Sequence, residues 1–511
     1  MTAAAPHVSI VLGIVVEIIA LALIPLVILR RKEPSSTAAW ILALLFLPGL
    51  GATLFLLFGR DRVRLPVRWK RDADQALARR RHHHRHASPA QRDALARIPT
   101  AVDRELFRIS SALPGGEPSR GNAADLLVDG EATYAAIGAA IDAATQHVHA
   151  EYYLIARGEV ADWLAGRLVA AAKRGVVVRL LLDGFGSFWI GRRWVRALRA
   201  AGVEVAFFLP ARLIFFQPMN LRNHRKIVIV DGETAFTGGI NVMDEYRRVA
   251  GQAPWRDTHL RVRGPAAQAL GHVFELDWHF ATRREIPPAP AALATSLALA
   301  PREAREAREA REAREAGEAG DAREADDATV AIVRSGPDVE GPLRETIHRL
   351  FFSAITLARS RVYITTPYFI PDRAILVALQ TAAMRGVDVR LLFPKRNNHP
   401  FVGQAGRSFY EDLLWAGVAI HEYGPGMIHA KTMVVDGTVA MVGSANMDLR
   451  SFRLNFEVHA LVRDAATAAQ LEACFEADLA VSSPIDPVSF AARPWTQKVI
   501  EGAARLLSPL M

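Results

Sequence analysis

Two long apolar runs open the chain, and shorter apolar runs alternate with amphipathic stretches beyond about residue 120. The long runs cover residues 8–29 and 38–58, and each matches the roughly 20 residues that a helix needs to cross a bilayer. A cleaved signal peptide is the alternative, but its apolar segment would be shorter and basic residues would precede it. Here the basic residues follow the first run. The pattern therefore predicts a transmembrane hairpin of two helices over residues 1–65.

Beyond the hairpin, one order of elements occurs twice. In the first half, the strand-like "HVHAEYYLI" precedes the helix-like "VADWLAGRLVAAAKRG" and the strand-like "VVVRLLLDG" and "GVEVAFFLP". In the second half the same order reads "RVYITTPYFI", "AILVALQTAAMRG", "VDVRLLFP" and "AGVAIHEYG". Repetition of whole strand–helix–strand units indicates a duplicated domain with α/β architecture and a largely buried sheet. We expect one domain over residues 121–290 and a second over residues 329–511.

Two further segments carry charge without an apolar pattern. Residues 66–120 form a basic connector that contains "RRRHHHRH". This tract has no spaced pattern of metal ligands, so we expect it near anionic headgroups rather than around a metal ion. Residues 291–328 repeat Arg-Glu-Ala with balanced charge, which predicts an exposed and partly helical linker. We assign no chemistry to either segment.

The net charge limits the class of binding partner, and the cysteine content bears on the cellular compartment. The chain of 511 residues has a net charge of +9, which favours an anionic partner, either nucleic acid or an anionic bilayer. The apolar N-terminus favours the bilayer. The single cysteine, Cys474, cannot form an internal disulfide, so no oxidising compartment is implied. More basic residues follow the second apolar run than the first, and the positive-inside rule therefore predicts that the rest of the chain is cytoplasmic.

The pattern His-x-Lys-x-x-x-x-Asp-Gly occurs once in each half. It comprises His224, Lys226 and Asp231 in the first half, and His429, Lys431 and Asp436 in the second. Each copy places an apolar run before Asp-Gly, which is a strong signal for a hairpin turn. The return strands lead to Asn241 and Asn446. Since residues two apart on a strand share a face, the His and Lys of each copy are expected to point the same way.

If the two halves pack about a pseudo-twofold axis, the two copies meet in one pocket. That pocket would hold two imidazoles, two ammonium groups and two amides, a set that suits a phosphodiester. One imidazole can attack phosphorus and the other can protonate the leaving alkoxide, while the lysines and amides stabilise the equatorial oxygens. Either imidazole could take either role. We expect no metal and no cofactor, since each lysine supplies positive charge and would repel a cation beside its histidine.

The repeated motif resembles the signature of the phospholipase D superfamily, and the surrounding sequence is similar to bacterial cardiolipin synthases. The similarity lies in "PSSTAAWILALLFLPGLGATLFLLFGR", "EYYLI", "LLLDGFGS", "NHRKIVIVDGETAFTGGINVMDEY", "WRDTHLRVRGPA", "TTPYFIPD" and "HAKTMVVDGTVAMVGSANMDLRSFRLNFEV". It runs from about Pro34 to the C-terminus and leaves out the Arg-Glu-Ala linker. The resemblance implies two tandem phospholipase D-like α/β/α domains related by a pseudo-twofold axis, in a multi-pass protein of the bacterial inner membrane.

The same resemblance implies a two-step phosphatidyl transfer. One phosphatidylglycerol would give a phosphatidyl-histidine and glycerol, and the hydroxyl of a second phosphatidylglycerol would then release cardiolipin. His224 is expected to be the nucleophile and His429 the acid and base. The phosphate ligands implied, besides the two lysines, are Asn241, Asn446, Gly239 and Ser444.

Two pairs of carboxylates complete the site that the resemblance implies. Asp231 and Asp436 belong to the catalytic motif, although their place in the turn would also let them brace the hairpin. Asp257 in "WRDTH" and Glu457 in "NFEV" are expected to orient the imidazoles.

A hydrolase of the same superfamily, with water as acceptor, is the alternative function. Its substrate would be a phospholipid or, with less support, a nucleic acid, which the basic charge permits. The hairpin argues against nucleic acid because it holds the pocket beside lipid, so phosphatidylglycerol, cardiolipin and the bilayer are the expected partners. Whether water or a lipid hydroxyl is the acceptor depends on how well the pocket excludes water. A non-catalytic scaffold would be favoured by a lost His or Lys, yet both copies are intact.

Overall fold

The computed structural model describes residues 5–29, 34–56, 70–72, 89–209, 221–247, 253–286, 327–339 and 345–507. The chain divides into two compact units, Met1–Val67 and Arg68–Met511. The loop 30–32, the His-rich tract 79–86 and nearly all of the Arg-Glu-Ala linker lie outside the described residues. The expectations for those segments stay predictions.

The N-terminal unit contains three helices, α1 (Ala5–Ile28), α2 (Pro34–Phe46) and α3 (Pro48–Leu54). The second predicted span is thus two helices rather than one. The break falls at Leu47, whose φ of −134° and ψ of 61° are not helical. Pro48 causes it, because a proline disfavours helical geometry at the preceding residue. Of the helices that the structure describes, none combines the length and the apolar content of a bilayer span.

The three helices bury a small core and leave much apolar surface exposed. Ala20, Val27, Leu44, Ala52 and Phe55 form the buried cluster. The exposed large apolar side chains include Ile14, Ile18, Leu21, Ile28, Leu42, Phe46 and Leu50. An apolar surface of this kind is typical of an element that contacts lipid or another protein.

A mixed sheet runs through both halves of the second unit and contains 16 of the described strands. The strands of the first half are β1 (Ser119–Val128), β2 (His147–Tyr152), β3 (Val177–Asp183), β4 (Glu204–Phe208), β5 (Arg222–Asn223), β6 (Lys226–Val230), β7 (Thr234–Gly238) and β8 (Thr258–Arg263). Those of the second half are β9 (Ala328–Ser335), β10 (Arg361–Thr365), β12 (Asp388–Pro394), β13 (Ala419–Tyr423), β14 (Thr432–Val435), β15 (Val439–Gly443), β17 (Asn455–Arg463) and β18 (Ser482–Pro484). A separate parallel pair joins β11 (Phe369–Ile370) to β16 (Met447–Asp448).

The strand order is nearly the same when it is read outward from the middle in either direction. It runs β9-β17-β15-β14-β10-β12-β13 on one side and β1-β8-β7-β6-β2-β3-β4 on the other, and β9 pairs with β1 in antiparallel fashion. The parallel strands β2, β3 and β4 thus correspond to β10, β12 and β13. The hairpin β6–β7 after the first motif corresponds to β14–β15 after the second. This correspondence explains why the sequence repeats its elements in one order.

Helices cover both faces of the sheet. In the first half and its approach they are α4 (Pro89–Ala96), α5 (Ala101–Ser111), α6 (Asp129–Ala143), α7 (Glu159–Lys173), α8 (Arg192–Ala200) and α9 (Pro265–Thr282). In the second half they are α10 (Thr346–Leu357), α11 (Arg373–Met384), α12 (Pro400–Arg407), α13 (Tyr410–Trp415), α14 (Leu449–Arg453), α15 (Ala465–Ala480), α16 (Pro487–Ala491) and α17 (Trp495–Leu507).

Alternate residues of one strand face different cores, as period-two geometry requires. In β6, Ile227 and Ile229 pack with α9 in a core that also contains α15 and strands of the second half. Val228 and Val230 point the other way, into the core formed with α6 and α7. Both faces of the strand are therefore buried, which is why it reads as a continuous apolar run.

Candidate active site

The backbone just before each motif forms hydrogen bonds with the other half of the catalytic unit. β5, just before His224, pairs in parallel with the start of β17, and the His224 amide donates to the Phe456 carbonyl at 2.9 Å. Correspondingly, the His429 amide donates to the Arg256 carbonyl at 2.6 Å. These exchanged backbone contacts bring the two motifs to one interface. His224 lies just before β6 and His429 just before β14, so each imidazole sits at the end of its strand rather than within it.

The first imidazole is held by a carboxylate from the second half. His224 Nδ1 lies 3.0 Å from Glu457 Oε2 and 3.1 Å from the Ser444 carbonyl oxygen. Ser444 Oγ donates to the same Glu457 oxygen at 2.6 Å, and Asn455 Nδ2 donates to the other at 3.1 Å. Burial alone would raise the pKa of Glu457, but His224 and the other neighbours hold it below its usual value. An ionised Glu457 accepts a hydrogen bond from the Nδ1–H of the neutral imidazole, which directs Nε2 away from the carboxylate.

The second imidazole is held by a carboxylate from the first half. His429 Nδ1 lies 2.8 Å from Asp257 Oδ2 and 2.9 Å from the Tyr246 hydroxyl. The Thr258 amide donates to the other Asp257 oxygen at 2.7 Å. Burial raises the pKa of Asp257, and Lys431 opposes that rise. Burial also lowers the pKa of His429 well below its ordinary value, and the positive charge of Lys431 lowers it further.

Both motif lysines are buried beside the imidazoles. Burial lowers the pKa of Lys226 to about 7 and that of Lys431 to about 8, with Glu457 and Asp257 opposing the change. Lys226 Nζ donates to the His224 carbonyl at 2.5 Å, and Lys431 Nζ lies 3.0 Å from His429 Nε2. A bound anion favours the charged form of a neighbouring amine, so a phosphate at this place would raise both pKa values.

A cavity of about 640 Å³ joins the two motifs, and His224, His429, Asn241 and Asn446 line it. Its size lies within the range of small-molecule sites. Asn241 Oδ1 and Asn446 Oδ1 are buried and have no hydrogen-bond partner among the described residues. The two amides therefore have hydrogen-bonding capacity for a ligand. The structure brings together the two His-Lys pairs, both asparagines and the carboxylates Asp257 and Glu457.

Asp231 and Asp436 lie away from the imidazoles, in a place that fits the second role that the sequence left open for them, bracing the hairpin. Both occupy the turn at the far end of the motif strand, with φ of 54° and 51°. Asp231 accepts backbone N–H groups of residues 145–147 at 2.8–2.9 Å, and Asp436 accepts those of residues 359–361 at 2.7–3.1 Å. These bonds fix the loops before β2 and β10. Each aspartate therefore stabilises the sheet at the end of the motif strand that lies farther from the imidazole.

Gly239 and Ser444, which we expected to bind substrate, are not among the residues that line the cavity, and that expectation stays a prediction. They occupy equivalent positions and face the carboxylates. A Cβ at Gly239 would lie 2.2 Å from Asp257 Oδ1, so only glycine leaves room for that carboxylate. Ser444 holds Glu457 by the hydrogen bond described above. The Gly-Gly and Gly-Ser pairs thus position the partners of the imidazoles.

Several aromatic and basic residues of the cavity escaped the sequence analysis. Tyr153 packs against His224 with ring centroids 4.8 Å apart, and Trp255 packs against His429 at 5.4 Å. Tyr246 bonds to His429 directly, and Arg222 and Arg450 line the cavity. Arg222 lies two residues before His224, and this spacing on a short strand was the one available signal. The other residues come from segments that only the fold brings near.

Comparisons with known proteins agree with the repeated architecture. Residues 137–248 and 351–479 match the family model described as "Cardiolipin synthase, PLD-like domain". Residues 18–60 match a model described as phospholipase D-nuclease N-terminal.

Curated relatives cover nearly the whole chain. The cardiolipin synthase of Geobacillus thermodenitrificans is 37% identical over 490 residues, which cover 94% of this chain and 90% of the relative. Cardiolipin synthase 2 of Bacillus anthracis is 36% identical, with 95% and 88% covered. Among solved structures, the phosphatidylserine synthase of Haemophilus influenzae matches with a TM-score of 0.56 at 12% identity, covering 80% of this chain and 98% of that one. That last likeness concerns the fold.

Proposed function

The chain belongs to the bacterial cardiolipin synthases of the phospholipase D superfamily, and we propose that its two His-Lys motifs form one site for phosphatidyl transfer. The enzyme is a membrane-associated phosphatidyltransferase whose family uses phospholipids such as phosphatidylglycerol. The observation that carries the site proposal is the exchange of carboxylates: each imidazole is oriented by an acid from the opposite half. Such an exchange supports one shared site between the two halves.

In the first step, His224 Nε2 attacks the phosphorus of one phosphatidylglycerol. The bond from phosphorus to the glycerol oxygen breaks. The bound phosphodiester anion favours the charged form of His429 and so opposes the effect of burial on its pKa, and the charged ring gives its Nε2 proton to the departing alkoxide. A phosphatidyl-histidine and free glycerol result. Asn241 and Asn446, which line the cavity, hold the non-bridging oxygens together with the buried Lys226 and Lys431, and the four groups stabilise the negative charge of those oxygens.

In the second step, His429 takes the proton from a hydroxyl of a second phosphatidylglycerol. The hydroxyl oxygen attacks phosphorus, the bond from phosphorus to His224 Nε2 breaks, and cardiolipin leaves. Both protons are accounted for, since His429 ends the cycle as it began. The same residue serves first as acid and then as base.

The different states of the two carboxylates support His224 as the nucleophile. An imidazole that carries a phosphoryl group on Nε2 and a proton on Nδ1 is a cation. Glu457, whose pKa is held low, offers that Nδ1–H a full negative charge at 3.0 Å. Burial instead raises the pKa of Asp257 beside His429. The direction of the two pKa shifts therefore supports Glu457 as the counter-charge of the covalent intermediate.

We propose two tandem phospholipase D-like domains, residues 121–290 and 329–511, related by a pseudo-twofold axis. The matching strand order on the two sides of the central β1–β9 pair supports this division. We also propose that residues 1–65 anchor the enzyme in the bacterial inner membrane as a multi-pass hairpin with the catalytic unit in the cytoplasm. Its support is the exposed apolar surface of α1 to α3 and the basic residues that follow.

Product analysis tests transfer against hydrolysis. The detergent-solubilised enzyme with phosphatidylglycerol alone should release cardiolipin and glycerol in equal amounts, because each turnover expels one glycerol. Mass spectrometry of the lipids and an enzymatic glycerol assay measure both. Phosphatidic acid as the main product would identify water as the acceptor and favour the hydrolase instead. Expression of the enzyme in cells that lack cardiolipin tests the same reaction in a bilayer, and we expect cardiolipin to reappear in their lipids.

The carboxylates that hold the imidazoles should matter for rate rather than for folding. We expect Glu457→Gln and Asp257→Asn each to lower kcat about 10²–10⁴-fold, because an amide neither fixes the tautomer nor stabilises a cationic imidazole. Initial rates of cardiolipin formation, normalised to folded enzyme, measure the loss. Asp231→Asn is the matched control: it should lower the melting temperature and leave kcat nearly unchanged. Full activity of Glu457→Gln would remove Glu457 from the mechanism.

A further inference from the structure

An exposed aromatic loop follows β3 at the edge of the sheet that carries the imidazoles. β2 and β3 are parallel, and the end of β2 pairs with Lys226 of the first motif. The loop of residues 184–191 therefore begins beside the catalytic cavity, and Phe185 lines that cavity. The rings of Phe185, Phe188 and Trp189 are all exposed, and Trp189 is exposed by 77%. Large apolar side chains that cluster on a surface mark a site of contact with lipid or with another protein.

Side-chain hydrogen bonds hold the backbone of this loop, so the exposure of its rings does not come from loose packing. The buried Asp183 carboxylate accepts two loop amides at 2.8 and 3.0 Å. The Ser187 hydroxyl donates to the Tyr153 carbonyl at 3.0 Å. The rings of Phe188 and Trp189 contact each other edge to face, with centroids 5.1 Å apart. The loop is thus a fixed element that presents aromatic rings to the surroundings.

The helix after the loop is strongly basic. α8 has four arginines among its nine residues, and Val195 and Leu198 form its buried face. Neither the loop nor the helix contains an acid. Arg192, Arg193 and Arg196 are exposed, and among the described residues no carboxylate lies within 4.0 Å of their guanidinium nitrogens. Three cations without a counter-charge, next to exposed aromatic rings, complement an anionic and partly apolar surface.

The second half contributes an exposed ring to the same cavity. Phe401 is the second residue of α12, and its exposed side chain lines the cavity. α12 follows β12 as α8 follows β3, so the two rings come from corresponding parts of the duplicated fold. Because Phe185 and Phe401 are exposed and also line the cavity, they lie where the cavity opens to the surface. The opening therefore has an aromatic ring from each half.

We propose that the aromatic loop, α8 and Phe401 form the surface by which the catalytic unit docks on an anionic phospholipid bilayer. The inference rests on the phosphatidyl transfer proposed above, since a phosphate that is joined to two acyl chains reaches the imidazoles only if the lipid surface lies at the cavity opening. Aromatic rings favour the boundary between headgroups and acyl chains, and neighbouring cations attract acidic headgroups. A protein docked on the same surface would instead cover the opening.

Fluorescence quenching in the full chain tests this surface directly. Trp189→Cys, made in a Cys474→Ala background, carries the fluorophore NBD, and the labelled enzyme is reconstituted in nanodiscs of phosphatidylcholine and phosphatidylserine. We expect nitroxide-labelled lipids to quench this fluorophore several times more than one at the control position, Trp415→Cys. Trp415 is similarly exposed, by 82%, and precedes β13. It lies at the opposite edge of the sheet, because β10, β12 and β13 are parallel and end at the imidazole edge.

Arginine variants test the charge of the partner. Replacement of Arg192, Arg193 and Arg196 together by glutamine should weaken docking about 100-fold, because each cation near an anionic surface contributes roughly fivefold. The labelled enzyme would then lose the additional quenching that phosphatidylserine produces. High salt should cause the same loss in the enzyme that keeps its arginines, since salt screens exposed charges. Lysine at the three positions is the matched control, because it keeps the charge and should retain docking.

Three outcomes would overturn the proposal. The first is quenching at position 189 that is no greater than at position 415. The second is equal quenching with and without phosphatidylserine. The third is a blue shift of the fluorophore in detergent that grows with enzyme concentration, which would identify a second copy of the chain as the occupant. The nanodiscs contain no phosphatidylglycerol, so these outcomes do not depend on whether the enzyme transfers or hydrolyses, which the product analysis decides.

Discussion

The His224→Ala enzyme is expected to form no phosphatidyl-enzyme from any substrate, whereas His429→Ala should still form it when the leaving group needs no proton. With phosphatidylglycerol, both variants should lose cardiolipin synthesis by at least about 10⁴-fold, because nucleophile and acid act as a unit. The difference between them appears only with an activated substrate. Phosphatidyl-p-nitrophenol provides one, since nitrophenolate departs without a general acid.

A burst experiment distinguishes the two roles. His429→Ala mixed with phosphatidyl-p-nitrophenol should release about one nitrophenolate per enzyme and then stall, since no base activates the acceptor in the second step. The His224→Ala enzyme should give no burst, and the wild type should turn over continuously. Absorbance of nitrophenolate follows all three. The reverse pattern would exchange the roles of the two histidines, and steady turnover by both variants would exclude a covalent histidine intermediate.

Much of this site was predictable because duplication makes chance an unlikely explanation. Two copies of one motif with identical spacing required one arrangement for both, and the runs Ile227–Val230 and Thr432–Val435 indicated the buried strands that carry them. For the aspartates of the motif, the sequence shows only that they sit in the turn, so it left both a catalytic role and a bracing role open. What they bond to, the amides before β2 and β10, lies more than 70 residues away.

The rest of the site depends on side chains that the sequence separates. Only the fold shows that Glu457 faces His224 and that Asp257 faces His429. The first contact follows from the pairing of β5 with β17, and the second from the parallel bridge between residues 256 and 428. Periodicity reports which face of an element is buried, and it does not report which polar group on another element meets it. The helix break at Leu47 was missed for a related reason. The second apolar run is continuous in hydrophobicity, which does not report the effect of Pro48 on the backbone.

Lys70 shows this limit most clearly. It belongs to the basic connector 66–120, for which the sequence showed no apolar pattern, yet its side chain is fully buried in the catalytic unit. Lys70 Nζ lies 2.9 Å from Asp277 Oδ1, and Arg225, inside the first motif, pairs with the other Asp277 oxygen. Asn223 connects the cluster to Glu151 by a bond of 2.5 Å. A buried acid thus joins the connector to the residue beside His224.

A third acid, Asp338, lies 3.9 Å from Lys70 Nζ, so the cluster holds two cations and three acids and its charges balance if one acid is neutral. Burial raises the pKa of Glu151 well above its ordinary value, and the nearby Asp277 raises it further. Arg225 and Lys70 outweigh the effect of burial on Asp277 and lower its pKa. The ionised Asp277 therefore serves two buried cations, while Glu151 stays protonated. Loss of that one carboxylate would leave Lys70 and Arg225 buried together without their closest counter-charge, and Asp338, 3.9 Å from Lys70 Nζ, would be the nearest acid left besides the protonated Glu151.

Asp277→Asn is accordingly expected to destabilise the catalytic unit by about 3–5 kcal/mol, the usual cost of breaking a buried ion pair by removing one partner. Urea unfolding of the detergent-solubilised chain, followed by tryptophan fluorescence, measures the change. Asp142→Asn is the matched control, because its pair with Arg167 is exposed and should contribute no more than about 1 kcal/mol. Lys70→Met should recover part of the stability in an Asp277→Asn background, since it removes one of the two stranded cations. Equal unfolding of the Asp277 and Asp142 variants would show that the cluster is solvated and that Lys70 does not tie the connector to the site.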